Sequence, residues 1–178
     1  PLYEPVRGFD GKEVNFGGNY PLKAITYKDI RGGQSRTIAD DWLAAVDFAE
    51  NPIVINADTA KELGLKNGQR VRVVSATNKD GLWDLKTAGK RPVEGKLKCV
   101  QGMRPGVILV SWHFGHWAYG SGDVVINGQV VKGDPRRAGG LCTNSVLWTD
   151  PVLKNTTLSD LIGGSASFYD TSVALVPA

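Results

Sequence analysis

No apolar stretch in this chain is longer than a single strand. The longest uncharged apolar run, Val107 to Trp112, is bounded by Gly106 and His113. A membrane-spanning helix needs ~20 such residues. Turn formers punctuate the rest, with 22 glycines among 178 residues. Many short strands separated by turns expose many sheet edges, and closing the sheet on itself removes them. The expected class is therefore mainly β, an α+β barrel with short helices and long loops.

The pattern is sharpest between residues 20 and 111. Leu22-Lys-Ala-Ile-Thr-Tyr27 predicts a strand, followed by a polar glycine loop from Asp29 to Thr37. Residues 39–48 place Trp42, Leu43 and Val46, with Ala45 beside them, on one face at helical spacing. Pro52–Ile55 predicts a short apolar strand. Asn56 or Asp58 is suited to cap a short helix, which Gly64 would end in the left-handed region. Lys66-Asn67-Gly68 is a turn, Arg70–Thr77 alternates as a half-buried strand, and Asn78–Arg91 is a loop or hairpin tip carrying Trp83. Val93–Gln101 alternates again, Arg104-Pro-Gly106 turns the chain, and Val107–Ser111 is a buried strand. Beyond it, Val124–Ile126 and Gln129–Val131 flank Asn127-Gly128, a hairpin signal. Residues 155–162 are expected to form a short helix capped by Thr156 or Thr157, and Ser172–Val176 a last strand. Residues 1–20, rich in glycine and polar side chains, read as an extended lead-in to a domain over 21–178.

Composition excludes several classes. With 42% apolar and 22% charged residues, the chain is neither disordered, collagenous nor a coiled coil. The net charge of +3 neutralises little phosphate, and the aromatics are not interleaved with the basic run, so nucleic acid is not an expected partner. Residues 66–104 nevertheless carry ten Lys or Arg against Asp80, Asp84 and Glu94. That is either attraction for an anion or a solvated surface. Cys99 and Cys142 form no CxxC and no disulfide framework. The chain opens at Pro1 and its only methionine is Met103, the expectation for a processed or excised piece.

Four stretches offer chemistry. Lys28-Asp-Ile-Arg31-Gly-Gly-Gln34-Ser35-Arg36-Thr37 puts cations and hydroxyls on a glycine loop after a strand. This suits a phosphate or pyrophosphate, though it is neither a Walker loop nor GxGxxG and reads equally as a basic turn. Trp112-His113-Phe114-Gly115-His116-Trp117 holds both histidines, too few for a metal site. It suits the lining of a pocket for a flat heterocycle, or an aromatic core. In Gly139–Asn144, the Asn144 amide offers donor and acceptor together. In Ser167–Thr171, Tyr169 and Asp170 precede the last strand. No catalytic or metal-ligating set emerges from these residues.

The order of the pieces resembles one family. Tyr20-Pro-Leu with Thr26-Tyr27-Lys28 comes first, then Gln34-Ser35-Arg36-Thr37. Asn51-Pro-Ile-Val-Ile-Asn56-Ala-Asp58 follows, running through Gly64-Leu-Lys-Asn-Gly68 to Val71-Arg-Val73, with Gln69 where an acid is commoner. Arg104-Pro-Gly-Val107, His113-Phe-Gly-His116 and Gly139–Asn144 complete the set. Over about residues 20–178 this resembles the C-terminal dinucleotide-binding domain of dimethyl sulfoxide reductase superfamily large subunits. The resemblance implies a double-psi β-barrel that clasps molybdopterin guanine dinucleotide, carried with molybdenum as the bis form in a parent oxidoreductase. It implies that Thr26, Tyr27, Lys28, Gln34, Ser35, Arg36 and Thr37 hold pyrophosphate or pterin. His113, Phe114 and His116 would line the pterin or guanine side, and Asn144, Tyr169 and Asp170 would complete the grip.

The metal ligand and iron–sulfur cysteines of that family lie in other domains, so this segment would position a cofactor without itself catalysing. The redox chemistry belongs to the molybdenum centre. Residues 27–36 and 145–160 resemble tetrathionate, thiosulfate or arsenate reductases, a sulfur- or arsenic-oxyanion reaction suited to anaerobic respiration. The implied partners are the other domains of the parent polypeptide, with iron–sulfur and membrane-anchor subunits beyond. The implied compartment is the exported side or the cytoplasm, and direct membrane insertion is not expected. Two other readings stand beside this one. A free-standing double-psi enzyme of the pyruvoyl-decarboxylase kind would cut itself at Gly120-Ser121 or Gly164-Ser165. A protein-binding barrel module would need no cofactor.

Overall fold

A computed structural model describes residues 4–16, 18–30, 32–45, 49–86, 89–117, 120–160, 162–169 and 171–178, with 34–36 and 44 by backbone alone. Ten strands are present among these residues: β1 (Leu22–Tyr27), β2 (Ile53–Asn56), β3 (Arg70–Ser75), β4 (Leu82–Asp84), β5 (Lys90–Pro92), β6 (Glu94–Val100), β7 (Val107–Ser111), β8 (Val124–Ile126), β9 (Gln129–Val131) and β10 (Ser172–Pro177). Six of them close a barrel in the order β1–β10–β3–β6–β2–β7. β1 with β7 and β2 with β6 are parallel, and the other four pairings are antiparallel. The molecule is a double-psi barrel.

Period-two alternation explains the core. Leu22 and Ala24, Ile53 and Ile55, Val71 and Val73, and Ile108 and Val110 point inward and fill the barrel with aliphatic side chains. β4–β5 and β8–β9 form separate two-stranded hairpins. The first of two short α-helices, α1 (Asp41–Ala45), precedes β2. The helix after β2, α2 (Ala57–Glu62), is capped by Asn56, whose Oδ1 accepts from the backbone N–H of Asp58 at 2.9 Å and Thr59 at 3.0 Å. Asn56 outcompetes Asp58 because it also donates to the Met103 carbonyl, tying the helix start to the turn before β7.

Three expectations require correction. Of the expected helix over 155–162, the described residues 155–160 are not helical: Thr157 bridges Thr149, and Ser159 bridges Ala166. Leu158 is buried against Trp148 and Val14. Burying one residue while its neighbours pair outward is a strand's geometry, which overrides the local helical cue. The helix α1 is real, but Trp42 is 86% exposed and lies on no buried face. Val46 falls outside the described residues. The loop to Thr37 gives way to a 3₁₀ turn over Gln34–Ala39.

The segment before β1 packs against Trp148, which Phe16 meets edge-on at 5.1 Å. The basic stretch 66–104 is partly neutralised. Arg70 and Lys96 share Glu50, and Arg72 grips Glu94. Among the described residues, no helix is long and apolar enough to cross a membrane.

Candidate functional site

The site is at the end of the barrel where the parallel strands β1 and β7 finish. Inward parity on β1 runs Leu22, Ala24, Thr26, so Thr26 is the first such residue to reach the mouth. On β7 it runs Ile108, Val110 and then Trp112, just past the strand. The Trp112 N–H donates to the Tyr27 carbonyl, which holds the two strand ends side by side. Loops from three other parts of the chain arrive here. His116 comes from the β7 exit, Asn144 from the 3₁₀ turn Thr143–Val146, and Phe168 with Tyr169 from the lead into β10. Thr26, Trp112, His116, Asn144, Phe168 and Tyr169 line one cavity of about 370 Å³.

The donor set suits a flat polar heterocycle. Trp112, Phe168 and Tyr169 offer ring faces, while Thr26, His116 and Asn144 offer donors and acceptors to ring edges. His116 is held from behind by Trp83 of β4, ring edge to face at 6.4 Å. Tyr169 and Asn144 are exposed, so both are within reach of a ligand entering the cavity.

The remaining expected residues fall elsewhere. His113 is wholly buried behind the wall, not on it. Its Nε2 accepts from the Asp29 N–H at 3.2 Å, and its ring stacks on Trp112 at 4.7 Å. His113 is therefore a support for the loop that follows β1. Gly32 packs on it so closely that a Cβ there would fall 2.4 Å from Nε2. Phe114 is buried against Ile38. Thr37 clips its own loop, its hydroxyl exchanging hydrogen bonds with the N–H and carbonyl of Gly33. Tyr27 is half-buried, and burial with the Asp29 charge raises its hydroxyl above the ordinary range. Lys28 is exposed. The side chains of Gln34, Ser35 and Arg36, and all of Asp170, lie outside the described residues.

Sequence reasoning put Trp112 in a pocket-lining stretch without singling it out, and it missed Phe168. The strand parity that carries Trp112 to the rim was the signal available for it. It also missed Asn51. This wholly buried amide donates to the carbonyls of Ser111 at 2.6 Å and Leu141 at 3.0 Å, and accepts from the Leu141 N–H at 2.9 Å. It thereby fastens the end of β7 to the loop that carries Asn144. Gly115, at φ +73°, lets the His116 loop lie against that same loop, since a Cβ would meet the Cys142 nitrogen at 2.4 Å. A second, smaller cavity lies beside Arg136 and Arg137. Its arginines already face acids. Asp134 grips Arg136 and is drawn down to about 2 by it, and Asp41 stands 3.6 Å from Arg137. That site has little positive charge left for an anion.

Comparison with known proteins agrees with this geometry. Residues 22–82 match the family described as the molydopterin dinucleotide binding domain. The chain is 43% identical over 173 residues to a selenate reductase subunit of Mesobacillus selenatarsenatis, covering 97% of this chain and 16% of that protein. It is 28% identical over 171 residues to a tetrathionate reductase subunit of Salmonella typhimurium, covering 93% and 15%. It is 28% identical over 128 residues to the molybdopterin-containing subunit of the arsenate respiratory reductase of a Shewanella species, covering 67% and 13%. The chain thus spans about a sixth of the length of these relatives or less. Acetylene hydratase from Pelobacter acetylenicus shares the fold, with a TM-score of 0.56 at 17% identity over 89% of this chain and 18% of that one. The chain is a molybdopterin dinucleotide-binding domain of the dimethyl sulfoxide reductase superfamily.

Proposed function

We propose that residues 21–178, entered through 1–20, form one wall of the cofactor site in the catalytic subunit of an oxyanion reductase. The convergence of Thr26, Trp112, His116, Asn144, Phe168 and Tyr169 on one cavity supports this most directly. The cofactor is molybdopterin guanine dinucleotide, and the substrate class is a selenium, sulfur or arsenic oxyanion, as the names of the relatives suggest. When bound, the cofactor supplies the redox-active metal through its dithiolene sulfurs.

The chain's own residues bind and orient. Trp112, Phe168 and Tyr169 shield ring faces from water. Asn144 and His116 read ring edges, and Thr26 offers its hydroxyl at the barrel mouth. Lys28 and the loop through Arg36 stand at the β1 exit, where a pyrophosphate would need positive charge. No catalytic role falls to these residues. The rest of the catalytic subunit would supply the opposing wall, and iron–sulfur and membrane-anchor subunits the electron path.

The test uses the full-length parent enzyme carrying Asn144→Ala or Tyr169→Ala. Guanine nucleotide released by acid and molybdenum are both measured per polypeptide. Losing one edge or face contact costs about 1–3 kcal/mol, a fall in affinity of roughly 5- to 150-fold. Full guanine and molybdenum content in both variants would retire the reading.

A further inference from the structure

We propose that the β8–β9 hairpin is a docking key that inserts into an apolar crevice in the remainder of the parent polypeptide, beside the cofactor cavity. The inference rests on the reading of this chain as one wall of a larger catalytic subunit.

All six strand residues of the hairpin are exposed, and five are branched aliphatics. Val125 is 70% exposed, and Val124, Ile126, Val130 and Val131 are each near half. The cross-strand pairs are Val124 with Val131, Val125 with Val130, and Ile126 with Gln129. Adjacent pairs point to opposite sides of a ribbon. Both faces of this one are therefore apolar. A ribbon lying on a surface needs only one apolar face, with the other turned to water. Two apolar faces fit insertion between two walls.

The hairpin is also built to project. Asn127 and Gly128, at φ +50° and +78°, make the tight turn whose twist matches paired strands. At the base, Asp123 pairs with Lys132 at 2.6 Å and accepts from the Gly133 N–H at 3.0 Å. Gly133 lies so near the backbone of Gly122 that a Cβ would overlap it, and the Asp134 N–H donates to the Gly120 carbonyl. Among the described residues, the ribbon belongs to no larger sheet. A two-stranded hairpin outside a larger sheet is marginal in water, so packing against a partner would stabilise it.

The hairpin's surroundings favour the parent polypeptide over a second copy as that partner. The matched region, hairpin included, makes up only 16% of the selenate reductase relative. Gly122 packs on Trp117, the neighbour of cavity-lining His116. The hairpin thus leaves the domain beside the site whose other wall the rest of the parent would supply. Its base carries one acid and one lysine paired to each other, so the contact it offers is apolar rather than electrostatic.

Amide hydrogen exchange on peptides covering 122–133 tests this in the full-length parent enzyme and in the 178-residue chain. The expected result is at least about 100-fold slower exchange in the parent. Equal exchange in both overturns the proposal, as does protection that vanishes when the parent is diluted to monomers, which would assign the hairpin to a second copy. A parent variant with Val125→Lys and Val130→Lys should lose that protection. Guanine content of the wild-type parent is measured on the same samples. A cofactor-loaded parent with an unprotected hairpin refutes the docking alone, and a protected hairpin in a parent without dinucleotide refutes the cofactor reading alone.

Discussion

Replacing Asn51 by alanine should weaken the chain more than any surface change, and its cost can be worked from the hydrogen bonds. The side chain is wholly buried and makes three of them, to the Ser111 carbonyl, the Leu141 carbonyl and the Leu141 N–H. Alanine leaves two carbonyls and one N–H unpaired in a dry place. Each such orphan costs about 1–3 kcal/mol. The space vacated by the amide admits a water that restores one of the bonds, and two remaining orphans at about 1.5–2.5 kcal/mol each leave a net loss of about 3–5 kcal/mol. For a domain of 178 residues, unfolding entropy of about 2.1 cal/mol/K per residue converts this to a fall in Tm of about 8–13 °C. Thermal unfolding followed by circular dichroism measures it. Asn51→Asp discriminates further. It keeps the acceptor for the Leu141 N–H but sets a carboxylate against two carbonyl oxygens, and it should be at least as damaging near neutral pH. A Tm within about 3 °C of wild type for Asn51→Ala, a loss near 1 kcal/mol, would refute the claim that this amide fastens β7 to the 139–144 loop.

Gly115→Ala should cost about 2–4 kcal/mol, because φ +73° disfavours a side chain and the new Cβ would strike the Cys142 backbone. Urea denaturation checks it, and a loss under about 1 kcal/mol would show that the two loops part easily. Glu50 gives a pH signature. Lys96 first and Arg70 second hold its carboxyl below the ordinary value of 4.5 against the opposing effect of partial burial. A depressed folded value means stability present above the unfolded value and lost as pH falls through the folded one. Glu50→Gln should therefore lower stability at neutral pH by no more than about 1 kcal/mol, since both bridges reach solvent. The gap from wild type should close as the pH falls below the ordinary carboxyl value and through the lower folded one. A gap that stays constant across that range, followed by Tm, would count against the linkage.

Much of the barrel was legible because its strands obey period two and its turns carry glycine. Leu22–Tyr27 is a strand as read, Asn127-Gly128 turns a hairpin, and Gly64 follows α2 at φ +69°. What failed was decided by distant residues. The 155–162 stretch carries a threonine cap signal, yet Leu158 is drawn flat against Trp148 and Val14. Trp42 satisfies helical spacing but points to water, because spacing alone does not say which side of a helix the core lies on. At the cavity, aromatic and polar composition singled out loops that the fold brings together. Composition cannot say which member of a loop faces inward. His113 and His116 are three apart, one supporting the wall and the other on it. Asn51 looked like a mere prelude to a strand, because its partners are distant in sequence.

The circular strand order has a consequence for how the chain is made. β10 is the last of the ten strands in sequence, yet it sits between β1 and β3, pairing Val173 with both Leu22 and Ser75. During synthesis from the amino end, those two strands must wait with bare hydrogen-bonding edges until residues 172–177 emerge. Such long-range closure is slow and leaves a nascent sheet open to mispairing. A chaperone that held this domain would serve it best by covering that single gap, and would be released by the arrival of one strand.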